Sequence, residues 1–167
     1  MKVRAYVLIV SVALLAMSSG TKDAKPTEGL NPGDFAPRIE SLGNDGDSIS
    51  FRNHSGRYTL LNFWAAYDAE SRASNVRLAN EVNKLGPDRV AMYGVSFDKN
   101  QSVFEETVKA DRLKGTVQRF EGLGEKSALY KKFALKKGFR NFLINDEGVI
   151  IASNVTPEKL AEVLKAI

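Results

Sequence analysis

The sequence predicts an α/β protein in which helices flank a central mixed sheet. Apolar runs with strand-forming residues alternate along the chain with segments of helical periodicity, which is typical of a sheet with parallel strands. Near the C-terminus, two short apolar runs flank a turn sequence and add antiparallel strands. A length of 167 residues, 43% of them hydrophobic and 26% charged, favours one globular domain.

Residues 1–20 are predicted to be a secretory signal peptide. Lys2 and Arg4 precede an apolar stretch at 5–16, and small residues follow at 18–20. Because a membrane-spanning helix needs about twenty apolar residues, a permanent span after signal cleavage is not expected. Residues 21–32 are predicted to form a flexible leader and residues 33–167 the folded domain. These features predict export to the periplasm or cell envelope of a bacterium.

The N-terminal part of the domain is predicted to form a short β-hairpin. Asn-Asp-Gly at positions 44–46 is a strong turn signal, and apolar residues flank it at short spacing on both sides. These flanking residues are Ile39, Leu42, Ile49 and Phe51.

The next two elements have the clearest patterns in the chain. Residues 58–64 form a continuous run of strand-forming and apolar residues, which predicts a central strand buried on both faces. From 69 to 85, apolar residues recur every three or four positions, and Gly86 and Pro87 follow. This pattern predicts an amphipathic helix that ends at the glycine.

The remaining elements continue the alternation and then end in a hairpin. The patterns predict strands at 89–98 and 117–120, each followed by a helix, at 102–112 and 127–135 respectively. Asp-Glu-Gly at 146–148 predicts a second hairpin, with strands at 141–145 and 149–153. Thr156 and Pro157 then begin a helix that runs to residue 166.

The composition excludes several classes of function. These 167 residues contain no cysteine, which excludes disulfides, thiolate metal sites and thiol nucleophiles. The net charge of +4 falls to +2 without Lys2 and Arg4, too small a value to indicate a nucleic-acid partner. The short lysine run at 131–137 is interpreted as a solvated helix face. His54 is the only histidine, so no metal site is expected.

Four motifs, in the right order and spacing, resemble the periplasmic TlpA/ResA-like, AhpC/TSA-related branch of the thioredoxin superfamily. They are Gly33–Pro37 (Gly-Asp-Phe-Ala-Pro), the stretch 56–65 ending in Phe-Trp-Ala, Val95–Asp98 (Val-Ser-Phe-Asp), and Phe142–Ile150. The resemblance covers residues 33–167. It implies a thioredoxin-like fold with an N-terminal hairpin extension, and a family activity as a thiol–disulfide oxidoreductase or antioxidant protein.

The chain departs from this family at the residues that perform its chemistry. Alignment to the family's Cys-x-x-Cys motif places Asp68 and Ser71 at the two cysteine positions. The same alignment places Phe139 at the position of the family's cis-proline, and the chain has no proline between Pro87 and Pro157. A non-proline cis bond costs about 3 kcal/mol, so a trans, reshaped loop is expected here. Because neither cysteine of the motif is present, thiol–disulfide oxidoreductase activity is excluded.

The favoured hypothesis is a non-catalytic module that binds an exported protein or peptide. By the resemblance, Trp64, Tyr67, Asp68, Phe139 and Arg140 surround the shallow groove in which relatives hold extended peptides. Aromatic side chains are common anchors of such interfaces, and strand pairing at 140–142 would add backbone hydrogen bonds. The competing interpretation is that Trp64 packs in the core and Phe139 fills the space of the missing proline.

Several alternatives stay open. Asp68 has the sequence position of a helix N-cap, but a carboxylate-dependent enzyme that uses Asp68 with Glu70 is a second hypothesis. A Ser71, His54 and Asp98 triad lacks a nucleophile-elbow motif. The Gly-Leu-Gly sequence at 122–124 lacks the rest of any phosphate-binding fingerprint, and no cofactor is expected. A decayed paralogue without a partner is the third possibility.

Overall fold

A computed structural model describes residues 26–40, 48, 49, 51 and 57–166. Five strands form one sheet in the order β3-β2-β1-β4-β5. Strands β1, β2 and β3 are parallel, whereas β4 is antiparallel to both β1 and β5. The predicted mixed sheet is therefore confirmed. The elements are β1 (Tyr58–Trp64), α1 (Ala69–Leu85), β2 (Val90–Ser96), α2 (Gln101–Ala110), β3 (Val117–Phe120), α3 (Ala128–Lys132), β4 (Asn141–Ile144), β5 (Ile150–Ser153) and α4 (Pro157–Lys165).

Strand β1 lies at the centre of the sheet, and every residue from Thr59 to Trp64 is buried. Successive side chains of a strand point to opposite faces, so β1 contributes to two separate cores. Leu61 and Phe63 join one hydrophobic cluster, and Leu60 and Trp64 join the other. Strand β1 is thus continuously apolar because a hydrophobic core lies on each face of the sheet.

The two cores differ in their composition. The first contains a group of aromatic rings, Phe63, Phe97, Phe133 and Phe142, in which Phe63 and Phe133 have ring centroids 4.7 Å apart. The second core is mostly aliphatic around Trp64, and helices α1, α2 and α4 all contribute to it. Deleting a large core side chain costs several kcal/mol, so these two layers hold the strands and helices in place.

The N-terminal segment packs against the far edge of the sheet. Phe35 forms a bridge with Val149, and its N–H donates to the carbonyl of Thr27 at 2.9 Å. Part of the segment that we predict as a leader therefore contacts the domain. Ile39 pairs antiparallel with Ile49, as the hairpin prediction requires. The hairpin turn at 44–46, the signal peptide and His54 lie outside the described residues.

The helix predicted over 127–135 is instead divided into two pieces. Helix α3 ends at Lys132, Ala134 adopts a left-handed conformation with φ of 53°, and Leu135–Lys137 form one 3-10 turn. The helix is divided because two of its side chains are both buried. Phe133 and Leu135 are only 0% and 1% exposed, but residues two positions apart point to opposite sides of an α-helix. The break turns both side chains into the core.

The other helices agree with their sequence patterns. Helix α1 ends before Gly86, which has a φ of 91° that only glycine adopts readily. Helix α4 begins with Pro157, and the Thr156 side chain accepts a hydrogen bond from the N–H of Lys159. None of the helices in the described part of the chain is both long and apolar enough to cross a membrane.

Candidate binding site

The candidate site lies where the parallel strands β1 and β2 end, which is the usual edge for ligands in open α/β sheets. Asp98 follows β2, is 2% exposed, and holds the loop that follows β1. The N–H of Ala66 donates to both carboxylate oxygens of Asp98, at 2.9 and 3.1 Å, and Ser96 Oγ donates to Oδ2 at 2.7 Å. This buried carboxylate therefore fixes the backbone on which Tyr67 is carried.

Asp68 caps helix α1, as one of the two interpretations of its position predicts. Its Oδ1 accepts a hydrogen bond from the N–H of Ser71 at 2.8 Å. Ser71 Oγ donates to the carbonyl of Asp68 at 3.2 Å and accepts from the N–H of Ala65 at 3.3 Å. The two residues that the motif alignment places at the family's cysteine positions thus satisfy backbone groups at the helix start, which a helix N-terminus otherwise leaves without partners.

Replacing Asp68 by alanine is expected to lower the free energy of unfolding by about 1 kcal/mol, because the cap on Ser71 is lost. Asp68→Asn is the matched control and should keep most of the stability, since asparagine caps almost as well. Urea denaturation followed by circular dichroism measures both variants. Equal stability of Asp68→Ala and the wild type would contradict the capping role.

Phe139 forms the opposite wall of the site, in a loop whose peptide bonds are all trans, as expected. Its ring stacks on Phe97 with centroids 6.0 Å apart and lies 6.3 Å from the ring of Tyr67. The N–H of Phe63 donates to the carbonyl of Arg140 at 2.9 Å, which extends the pairing of β1 with β4. Within the described part of the chain, the N–H and C=O of Phe139 form no hydrogen bond. We call this half-buried backbone the Phe139 edge.

A groove of about 1140 Å³ is lined by Tyr67 and Phe97, the two rings next to Phe139, and we call it the Tyr67 groove. Tyr67, Leu123 and Val103 line it, and their side chains are 65%, 65% and 46% exposed. These three are the exposed large hydrophobic residues of the described chain. Their convergence on one groove is a typical sign of an interaction surface.

A second groove of about 560 Å³ lies between the starts of α1 and α4 and the loop before β4, and Phe139 lines it. We call it the Asp68 groove. It is more polar than the first, with carboxylates on the two helix starts and cations on the loop and α1. The charged side chains that line it are Asp68, Glu70, Arg77, Lys137, Arg140 and Glu158.

Burial and hydrogen bonding shift the pKa values of side chains that line the grooves, among them Tyr67 and Glu158. Partial burial raises the pKa of the Tyr67 hydroxyl above its usual value, and Tyr130, Asp98 and Glu125 raise it further. Hydrogen bonds from its own backbone N–H and from Thr156 lower the pKa of the Glu158 carboxyl. Tyr67 therefore stays neutral and Glu158 stays charged at neutral pH.

The structure separates the five predicted groove residues. Phe139, Arg140 and Asp68 line the Asp68 groove, and Tyr67 lines the Tyr67 groove. Trp64 lines neither, because its side chain is 0% exposed and its indole Nε1–H donates to Oε1 of Gln118 at 3.1 Å. Trp64 therefore belongs to the core in this structure, as the competing interpretation has it.

Three residues of the site have no counterpart among the predicted groove residues. The sequence indicates Asp98 only within the Val95–Asp98 motif and as a member of the triad, and it predicts no binding role for Val103 or Leu123. Leu123 carries a usable signal, because a large apolar side chain between Gly122 and Gly124 lies on a turn that cannot bury it. Val103 lies in the first turn of α2, and the periodicity that predicts a helix at 102–112 does not show which apolar residues stay exposed.

Within the described residues, Ser71 and Asp98 of the alternative triad have structural roles. Ser71 Oγ and the Asp98 carboxylate are both engaged with the loop backbone after β1, and His54 lies outside the described residues. The described residues also contain no group of three or more His, Cys, Asp and Glu side chains that could hold a metal ion. What the site offers instead is apolar surface, charged side chains and an unpaired stretch of backbone.

The mixed sheet, with a helix starting directly after its central strand, defines a thioredoxin-like protein. Residues 32–153 match the model of the AhpC/TSA family, and the chain belongs to this family. The resemblance inferred from the sequence motifs is therefore confirmed.

Solved structures agree with this assignment. A thioredoxin-like protein from Parabacteroides distasonis is 67% identical, with a TM-score of 0.78 over 84% of this chain and 99% of that one. A thiol-disulfide oxidoreductase from Bacteroides fragilis is 29% identical, with a TM-score of 0.66 over 80% of this chain and 98% of that one. Among curated protein sequences, none matches the chain.

Proposed function

We propose that this chain is an exported, redox-inactive member of its family that binds an extended peptide or protein segment at the Phe139 edge. The observation that carries the proposal is the position of this edge. An unpaired backbone N–H and C=O lie at the charged Asp68 groove, and the Phe139 ring contacts Tyr67 and Phe97 of the Tyr67 groove, at the place where the family's active site would be.

Redox inactivity follows from the chemistry of the two replaced positions. Thiol–disulfide exchange needs a thiolate nucleophile and a second sulfur, and these 167 residues contain none. A carboxylate at position 68 and a hydroxyl at position 71 cannot form or reduce a disulfide. Both residues instead form hydrogen bonds that stabilise the start of α1.

Peptide binding follows from the exposed backbone and its surroundings. Proteins that add a peptide strand to a sheet use unpaired main-chain groups for affinity and neighbouring pockets for alternate side chains. Phe139 lies two residues before the start of β4 and offers such groups, and Tyr67 lies beside it with most of its side chain exposed. A segment that crosses Phe139 would place successive side chains in opposite directions, toward the two grooves.

A peptide library displayed on phage and selected on residues 21–167 tests this function. We expect selected peptides, resynthesised and titrated into 15N-labelled protein, to shift the amide signals of 66–68, 122–124 and 137–140. These segments border the two grooves and the Phe139 edge. Selection of no peptide, or shifts confined to another surface, would refute the proposed function.

Two further measurements address the remaining parts of the proposal. Fractionation of cells that express the full chain is expected to recover it outside the cytoplasm with residues 1–20 removed. An insulin-reduction assay of the purified protein is expected to equal the buffer blank. Recovery of the uncleaved chain in the cytoplasm would contradict export without touching the binding proposal.

A further inference from the structure

The positive charge of the chain is concentrated in one segment, residues 123–140, which we call the basic segment. Its six cations and one carboxylate, Glu125, give it a charge of +5, which exceeds the +4 of the whole chain. The rest of the protein is therefore close to neutral. The six cations are Lys126, Lys131, Lys132, Lys136, Lys137 and Arg140.

These cations are not neutralised within the described structure. The five lysines are exposed and Arg140 is half-buried. The ion pairs among the described residues link Arg72 to Asp111, Lys84 to Glu81 and Lys159 to Glu162, and none of them involves the basic segment. Lys132 donates to the carbonyl of Arg38, which leaves its charge unpaired. The segment thus presents its full charge to a partner.

The basic segment also runs along both grooves. Leu123 and Lys126 line the Tyr67 groove at its start, whereas Lys137 and Arg140 line the Asp68 groove at its end. The Phe139 edge lies within the same segment. A ligand at this edge therefore passes between cations on either side.

The three carboxylates of the Asp68 groove are matched in number by its three cations, so the remaining cations of the basic segment keep a surplus of positive charge. Asp68 accepts the N–H of Ser71 at the start of α1. Glu158 accepts its own backbone N–H at the start of α4 and is also attracted by Arg77. Helix N-termini stabilise negative charge, and these contacts position both carboxylates at their own helix starts without removing their charge.

We infer that the segment bound at the Phe139 edge is acidic and carries at least one large apolar side chain. This inference rests on the proposed function and adds the chemistry of the ligand. The cations of the basic segment attract the carboxylates, and the exposed surface of Tyr67, Val103 and Leu123 takes the apolar group. Charge complementarity of this kind steers association and selects among partners.

The test uses three synthetic twelve-residue peptides with the same tryptophan and the same apolar positions. Their remaining positions are glutamate and aspartate in the first, glutamine and asparagine in the second, and lysine in the third. Fluorescence anisotropy at low salt is expected to show roughly tenfold tighter binding of the acidic peptide than of the neutral one, since several exposed charge pairs each add a small amount of affinity. The advantage should shrink at 0.5 M salt.

Paired variants locate the effect. Lys136→Gln/Lys137→Gln is expected to remove a large part of the preference for the acidic peptide. Lys109→Gln/Lys114→Gln is the matched control and should leave the preference unchanged, because these lysines precede β3 and lie at the opposite end of the sheet. Equal loss of the preference in both pairs would show a general charge effect and overturn the inference.

The outcomes separate this inference from the proposed function. Equal binding of the acidic and neutral peptides overturns the acidic preference and leaves peptide binding in place. Binding of none of the three peptides, together with an empty library selection, refutes both. Tighter binding of a single-stranded oligonucleotide or of anionic lipid vesicles than of the acidic peptide would assign the basic segment to a different polyanion.

Discussion

The double variant Asp68→Cys/Ser71→Cys is expected to form an intramolecular disulfide and to catalyse insulin reduction by dithiothreitol, which the wild-type chain cannot do. Positions 68 and 71 are the N-cap and the third residue of α1, and they already contact each other through two hydrogen bonds. A thiol at the N-cap faces the free N–H groups and the positive end of the helix dipole, which lower its pKa and favour the thiolate.

The controls for this gain of activity are the two single variants. Each has one thiol and is expected to show no turnover, because exchange with release of the substrate needs the second sulfur. Thiol titration before and after mild oxidation counts the free sulfhydryls. Two titratable thiols after oxidation, or an insulin assay at the blank level, would show that the helix start has lost the redox geometry of the family and not only its cysteines.

The sequence allowed most of the fold to be predicted, because its strongest signals are local. The apolar run of β1 needs cover on both faces, and the apolar periodicity of α1 ends at a glycine that adopts positive φ. The division of the region 127–135 could not be predicted in the same way. Its periodicity suits a helix, and only the requirement to bury both Phe133 and Leu135 breaks it.

The candidate site was predictable in part for a related reason. The position of Asp68 as a cap depends on a few neighbouring residues, and the structure confirms it. The Tyr67 groove depends on residues from three loops and on α2, and no local pattern brings Tyr67, Val103 and Leu123 together. The sequence shows the basic segment as a run of lysines, but its proposed role in binding depends on the two grooves that it borders, which only the structure shows.

Trp64 and Tyr67 are three residues apart and are expected to respond in opposite ways to replacement by alanine. Trp64→Ala should lower the free energy of unfolding by about 3–5 kcal/mol, because it empties a fully buried site and leaves Gln118 without its indole donor. Trp64→Phe, which keeps a ring in the core, should cost less. Urea denaturation measures this series.

Tyr67→Ala should change stability by no more than about 0.5 kcal/mol, since most of the side chain is exposed. The same variant should weaken a selected peptide about tenfold or more, because a central aromatic anchor contributes about 2 kcal/mol to an interface. Tyr67→Phe keeps the ring and should retain most of the affinity. A stable Trp64→Ala variant with impaired binding would instead place Trp64 in the binding surface. If Tyr67→Ala binds the peptide as tightly as the wild type, the Tyr67 groove is not part of the binding site. The Phe139 edge would then have to account for binding without it.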